Sequence, residues 1–506
     1  MAKYVMLQGT SSNVGKSIVT AAICRILKQD GHKVAPFKAQ NMALNSFVTK
    51  DGGEMGRAQV VQAEAAEIEP RVEMNPILLK PTGNASSQVI VLGRPIGTMS
   101  ANEYHQEYSL KAFPIVEQAL HTLEKDYEVI VIEGAGSPAE INLKANDIVN
   151  MRVAKHLQAP VLLIADVDRG GAIASLVGTL ELLDEEERAL VKGLVINKFR
   201  GDVNIFLPAV DFLEEKTGIP VLGILPYIEQ MDIDDEDSVA LESKASQSDK
   251  DIQIAVIRLP KISNFTDFAV LEKEADVSVN YVKKVSELGN PDLIIIPGSK
   301  NTTMDLLFLK ESGLEKAIIR KNKQGVPIIG ICGGYQMLGQ QVKDPEHTES
   351  EIDELAGLGL LPIITTFIAD KITRQVTAQA KGNNFLALNM SFDGLIGYEI
   401  HMGRTEYIDK IDSAFIVDRG DEQDVLDGAV RSDGLVMGTY MHGIFDNDQL
   451  RRLLIDKLRN LKGLENSENT FSLAERKNMA YNRLAKVTRE NLNVDKLYEI
   501  MDLVKK

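Results

Sequence analysis

The chain has 506 residues, 44% hydrophobic and 25% charged, with a formal net charge of −17. That length exceeds one compact core, so two or three domains are expected, and so acidic a surface argues against nucleic acid as a partner. Two cysteines, Cys24 and Cys332, leave no room for a disulfide framework or a four-cysteine zinc site and fit a reducing cytoplasm. No apolar run reaches the roughly 20 residues that cross a bilayer, so no membrane is expected as a partner.

Tyr4–Gln8 reads as a strand that runs into Gly9-Thr10-Ser11-Ser12-Asn13-Val14-Gly15-Lys16-Ser17. A helix follows from Lys16 to about Gln29, with Ile18, Val19, Ala22, Ile23 and Ile26 on its apolar side, and Asp30-Gly31 stops it. Because the apolar start meets a glycine-rich motif at once, it is read as part of the fold and not as a signal peptide. Strand, glycine-rich loop and helix together make a phosphate cradle. Backbone N–H groups turn inward, Lys16 reaches the β- and γ-phosphates, and the Ser17 hydroxyl ligates Mg²⁺. Gly9, Thr10, Asn13, Gly15, Lys16 and Ser17 are therefore the candidate ATP contacts. The loop has one residue more than the common spacing, and that lengthened form resembles the dethiobiotin synthetase branch of P-loop enzymes.

Further runs, apolar on both faces, follow at Val34–Lys38, Val129–Glu133, Val161–Asp166, Gly193–Asn197 and Val221–Leu225. They predict an open, largely parallel sheet with helical crossovers. Glu133 ends one of these strands, where a second Mg²⁺ ligand or a water-orienting carboxylate belongs. Asp166 and Asp168 end another and suit metal, substrate or loop structure equally. Asn197, in Asn197-Lys198-Phe199-Arg200-Gly201-Asp202, resembles the asparagine of an asparagine-lysine nucleotide-base loop.

Glu229–Asp237 holds six acidic residues, and Ser243–Asp251 has no apolar pattern, so a linker is expected over 231–250. It separates a P-loop synthetase domain, 1–230, from a second α/β domain, 251–450, with strands at Ile252–Leu259, Leu293–Pro297, Val326–Cys332 and Gly434–Tyr440. Residues 451–506 read as a charged helical extension.

In Ile329-Gly330-Ile331-Cys332-Gly333-Gly334-Tyr335-Gln336 an apolar strand runs into Gly-x-Cys-Gly-Gly and then a helix. A cysteine on such a turn is exposed at the sheet's edge, and the helix start favours its thiolate. The pattern resembles the nucleophile elbow of class I (triad) glutamine amidotransferases. That resemblance implies that Cys332 attacks the glutamine amide and that His442, just past a downstream strand, protonates the departing ammonia. It also implies an oxyanion hole from backbone N–H groups at Gly298 and Gly333. The family's glutamate, two residues after the histidine, is here Ile444. The third triad member is then missing or supplied from elsewhere, and a cysteine–histidine dyad that depends on the synthetase half is expected.

The two modules in this order, with Lys38-Ala39-Gln40-Asn41-Met42, Asn264-Phe265-Thr266-Asp267-Phe268 and Gly397-Tyr398-Glu399-Ile400-His401-Met402-Gly403-Arg404-Thr405, resemble the cobyric acid synthase family from residue 1 to about 450. That resemblance implies ATP, Mg²⁺, L-glutamine and a corrinoid substrate, adenosylcobyrinic acid a,c-diamide, whose b, d, e and g carboxylates are amidated through acyl phosphates. It makes Lys38, Lys80, Arg169 and Lys198 candidate cations for carboxylates and phosphates. Gln40, Asn41 and Asn45 become candidate corrin contacts, with Asp147 a further substrate-side residue. The related a,c-diamide synthases share both modules. A partition-type P-loop ATPase switch shares only the first and has no use for Cys332, and a degenerate amidotransferase scaffold fits Ile444.

Overall fold

Six apolar runs of the first half form one parallel sheet in the computed structural model: β1 (Lys3–Gly9), β2 (Val34–Phe37), β3 (Val129–Glu133), β4 (Val161–Asp166), β5 (Val191–Phe199) and β6 (Val221–Pro226), in the order β6-β5-β4-β1-β3-β2. The structure describes residues 2–82, 85–229, 231–234, 250–388, 390–468 and 470–506. β3 is buried at every position, as a strand covered on both faces must be. A small sheet between Gln40 and Ser100 is attached to this half.

A second sheet is built from β7 (Ile252–Ile257), β8 (Val277–Val282), β9 (Leu293–Ile296), β10 (Ile328–Ile331), β11 (Ala429–Val430) and β12 (Val436–Thr439), in the order β8-β7-β9-β10-β12-β11. All neighbours are parallel except the edge pair β11 and β12. A long antiparallel pair, Ile363–Asn383 with Met390–Tyr407, stands beside it.

The chain divides into two compact units. The first is Met1–Ala43, Glu54–Ile233 and Ala474–Lys506, and the second is Leu44–Gly53 and Asp234–Leu473. The boundaries therefore differ from a continuous 1–230 domain with an independent tail. Ten residues of the N-terminal half belong to the second unit, and the expected extension is divided, with its helix Asp448–Leu461 in the second unit and its helices after Leu473 in the first. The tail's place follows from its apolar residues: Leu492, Leu497, Tyr498 and Met501 pack into the core that holds Val5, Ile23 and Val131. Polar contacts fasten it further, with Arg25 donating to Asn482 at 3.0 Å and the Tyr481 hydroxyl to Glu64 at 2.6 Å. Residues 235–249 of the expected linker lie outside the described residues. Among the described residues no helix is long and apolar enough to cross a membrane.

Candidate active sites, one in each unit

In a parallel α/β sheet, ligands bind outside the carboxyl ends of the strands. Both candidate sites obey this rule. In the first unit, β1 ends at Gly9 and opens the phosphate loop, while the adjacent β3 ends at Glu133. Gly15 has φ +95°, and a side chain there would collide with the Asn197 amide, so the loop's turn requires glycine. Thr10 N donates to the Ile164 carbonyl at 2.9 Å, which ties the loop to β4. Lys16 Nζ donates to the carbonyls of Ser11 and Gly136, each at 3.0 Å, and so stands between the loop and the turn after β3.

Ser17 Oγ donates to Glu133 Oε1 at 2.8 Å, and Lys38 Nζ donates to the same oxygen at 2.9 Å. Gln62 donates to the other carboxylate oxygen. The buried Glu133 charge is thus compensated, as a buried carboxylate must be. A hydroxyl and a carboxylate oxygen side by side are the hard donors Mg²⁺ takes, alongside phosphate oxygens and retained waters. Ser17 and Glu133 therefore fit that ion.

The other sequence-derived residues divide. Asn197 Nδ2 donates to the Val14 carbonyl at 2.8 Å, and Lys198 Nζ reaches the Asn13 carbonyl at 2.6 Å and Asp166 at 2.8 Å. Both residues brace the phosphate loop from β5. Lys38 and Lys80, read from the sequence as substrate cations, instead hold buried carboxylates: Lys38 pairs with Glu133, and Lys80 with Glu54 at 2.6 Å. Asn41 donates to Gln59 at 3.1 Å inside the unit. Arg169 is exposed, 4.0 Å from Asp166, and Asp168 pairs with Arg200. Gln40 and Asp147 line a cavity of about 800 Å³ that also includes Gly136, whose carbonyl Lys16 grips. Burial pushes the Asp147 carboxyl up, against backbone hydrogen bonds from Val149 and Asn150 that favour its charge. Asn45 does not join this group, since it lies in the segment of the second unit.

In the second unit, four neighbouring parallel strands deliver four parts of one centre. Cys332 directly follows β10, with φ 51° and ψ −110°. A non-glycine residue in that conformation is strained, as at a nucleophile elbow. The turn is tight enough that a Cβ on Gly334 would run into the Ile296 carbonyl. His442 follows β12, and Gly298 follows β9. A Cβ built on Gly298 would sit 3.2 Å from His442 Cε1, and one on Gly333 would sit 2.9 Å from Ser299 N. The backbones at 298–299 and 333 thus meet beside Cys332 and His442, where the oxyanion donors are expected.

The fourth part comes from the loop after β7. Asp267 Oδ2 lies 2.6 Å from His442 Nδ1, and Asp267 Oδ1 accepts from Gly443 N at 3.2 Å. The expectation of a bare dyad is corrected. Ile444 carries no carboxylate, but Asp267 provides one and grips the histidine loop with both oxygens. Asp267 lies within the Asn264–Phe268 stretch; the signal that could have found it was a lone carboxylate in a motif shortly after the domain's first strand. Burial alone would push the His442 imidazole down. The Asp267 charge and hydrogen bond, joined by a hydrogen bond and charge from Cys332, outweigh it and lift the ring to about 10. The other cysteine, Cys24, is buried in the first unit, where burial and then the Glu133 charge push its thiol far up. The arrangement can take a proton from a thiol, hold it beside a carboxylate and return it to a leaving amine.

Comparison with known proteins assigns the phosphate loop and the Cys332 elbow to two different domains. Residues 3–234 match an AAA domain, and residues 253–450 match the CobB/CobQ-like glutamine amidotransferase domain. The chain is 56% identical over 512 residues to cobyric acid synthase of Desulfitobacterium hafniense (strain DSM 10664 / DCB-2), covering 100% of this chain and 99% of the relative. It is 53% identical over 515 residues to that of Pelotomaculum thermopropionicum, covering 99% and 97%, and 53% identical over 506 residues to that of Moorella thermoacetica, covering 99% and 98%. With a P-loop nucleotide-binding domain and a glutamine amidotransferase domain in one polypeptide, matched along its full length, the chain belongs to the cobyric acid synthase family.

Proposed function

We propose that this ATP-dependent amidotransferase converts the b, d, e and g carboxylates of adenosylcobyrinic acid a,c-diamide to amides, and that Cys332, His442 and Asp267 release the ammonia it uses. The observation that carries the glutaminase reading is the hydrogen-bonded Asp267–His442 pair beside the strained Cys332 elbow. The Cys332 sulfur attacks the glutamine side-chain amide, and the oxyanion develops toward the backbone N–H groups near Gly298 and Gly333. His442 passes a proton to the departing ammonia, and water then releases glutamate.

In the first unit, a substrate carboxylate oxygen attacks the γ-phosphorus of ATP, ADP leaves, and an acyl phosphate forms. Ammonia attacks the acyl carbon, and phosphate departs with the bond electrons. Phosphorylation is needed because a free carboxylate is a poor electrophile with a poor leaving group. Ser17 and Glu133 would hold Mg²⁺, which would supply neutralisation of charge on the transferring phosphoryl group. Lys16, fixed between the loop and Gly136, faces the same phosphates. The cavity of about 800 Å³ beside Gly136 supports a large acceptor rather than a small one.

The test is to incubate the protein with ATP, Mg²⁺, the a,c-diamide and either glutamine or ammonium, and to follow product mass. Four successive OH-to-NH₂ replacements are expected with both nitrogen sources. No shift with either would refute the reading. Amidation of an earlier corrinoid alone would move the assignment to the a,c-diamide synthases.

A further inference from the structure

Tyr398 and Ile400 share one face of the strand Met390–Tyr407, because alternate residues of a strand do. Each touches one catalytic residue. The Tyr398 ring stacks on the His442 imidazole, with centroids 5.2 Å apart and planes at 15°. The two backbones also exchange hydrogen bonds, Tyr398 N to His442 O at 3.2 Å and His442 N to Tyr398 O at 2.9 Å. The Ile400 carbonyl accepts from Cys332 Sγ at 3.6 Å.

What packs on the side chains of Tyr398 and Ile400 is Val48, with Phe47 against the same group. These residues belong to Leu44–Gly53, the short excursion of the N-terminal half into the second unit. Backbone atoms of Ser46, Val48 and Gly52 make polar contacts with the rest of the unit. Ser46 N donates to Asn264 Oδ1 at 3.1 Å, Asn264 Nδ2 donates to the Tyr398 hydroxyl at 3.2 Å, and that hydroxyl reaches the Ser46 carbonyl at 3.5 Å. Further along, Gln375 Nε2 donates to the Val48 carbonyl and Thr373 Oγ1 to the Gly52 carbonyl, each at 2.9 Å. Asn264 also receives Asp267 N on its own carbonyl at 3.0 Å. The ten residues therefore bind both the turn that carries Asp267 and the tyrosine that carries the His442 ring.

We propose that Leu44–Gly53 is a positioning strap for the glutaminase centre, holding Tyr398 and Asn264 so that His442 is aligned with Cys332 only while the strap is seated. This rests on the proposed function. The strap makes glutamine hydrolysis conditional on the chain just before it, and there Gln40 and Met42 line the cavity assigned to the acceptor. An acceptor in that cavity acts on residues covalently joined to the strap, which gives ammonia release a reason to wait for its consumer. The leverage is adequate, since a misplacement of about 1 Å in a catalytic group costs on the order of 10²-fold in rate.

Two full-length variants test it. Tyr398→Phe keeps the stacked ring and loses the hydroxyl that links Asn264 to Ser46. Thr373→Val with Gln375→Ala releases the strap where it does not touch the catalytic residues. Glutamate release and amidation are measured with glutamine and, separately, amidation with ammonium. Expected in both variants is a fall of about 10-fold or more in kcat for glutamine at little-changed KM, with weakened stimulation by acceptor and ATP, while amidation from ammonium keeps its wild-type rate. Wild-type glutamine kcat and stimulation in both variants would overturn the proposal, and so would an equal fall with both nitrogen sources. Should Tyr398→Phe not fold, the double variant decides alone. Failure of the wild-type protein to amidate at all would count against the functional reading and not against the strap.

Discussion

Asp267 and His442 are separated by 175 positions in the chain, yet the Asp267 carboxylate lies 2.6 Å from the imidazole Nδ1. The sheet explains the meeting. β7 and β12 are separated only by β9 and β10, so the loops after them open on the same edge. A carboxylate two residues beyond the histidine is one way to orient the ring, and a carboxylate from the loop after β7 is another.

Asp267→Asn should therefore keep the shape and lose the orienting charge. Glutamate release is expected to fall by roughly 10²- to 10⁴-fold. Amidation driven by ammonium should stay at its wild-type rate, and comparing the two nitrogen sources under saturating ATP is the check.

Cys332→Ser should abolish glutamine use and leave ammonium use intact, because the proposed phosphorylation and amidation use residues of the first unit. Retained glutamine-dependent amidation would remove Cys332 as the nucleophile.

Lys16→Ala and Glu133→Gln should stop amidation from both nitrogen sources. Glu133→Gln has a second expected effect: it removes a hard oxygen donor and takes the Glu133 charge away from the buried Lys38. A raised Mg²⁺ requirement in ADP-release assays, with a lowered Tm, is the expected pair of readings.

Two histidines of the second unit should give opposite pH signatures. His442 is lifted from 6.5 to about 10 in the folded protein, chiefly by Asp267 against the effect of burial. Its contribution to stability is full below about 6.5 and is lost as pH rises through about 10. His401 is lowered from 6.5 to about 3, mainly by burial, with the Arg419 and His442 charges adding to it. The folded state then binds fewer protons than the unfolded state, so stability is lost as pH falls from about 6.5 towards 3. Melting curves across pH should show Asp267→Asn flattening the alkaline limb and His401→Phe flattening the acid limb. Among the described residues His401 Nε2 is buried without a hydrogen-bond partner, and the phenylalanine also removes the 2.9 Å bond between Nδ1 and the Gly403 carbonyl, a loss that does not depend on pH.

Truncation after Leu473 should destabilise the first unit while sparing the second. It removes Leu492, Leu497, Tyr498 and Met501 from the first unit's core, each contributing about 1.5–3 kcal/mol of burial. It also removes Asn482 and Tyr481, which bond Arg25 and Glu64. Calorimetry should show one transition lowered or lost, with ATP-dependent amidation lost alongside it.

The parallel strands were legible because their apolar runs, buried on both faces, are a local signal, and the two loops because their glycine patterns are local too. Asp267 was not assigned, because nothing near His442 in the chain announces it and the local spacing pointed to Ile444. Lys38 and Lys80 looked like substrate cations because the carboxylates that claim them, Glu133 and Glu54, are brought to them by the fold. The helical pattern of the tail was readable, but not which core its apolar face enters. The place of Leu44–Gly53 in the second unit was equally hidden, since Ser46, Val48 and Gly52 bond there through backbone atoms, which any sequence supplies.

The tail's return to the first unit also sets an order of events during synthesis. The second unit has all its residues once Leu473 has been made, whereas the first still lacks Leu497 and Tyr498 at that point. On the ribosome the nucleotide-binding half is thus begun first and completed last. Until then the apolar face around Val5 and Ile23 stays uncovered for the rest of translation, a ready surface for a chaperone.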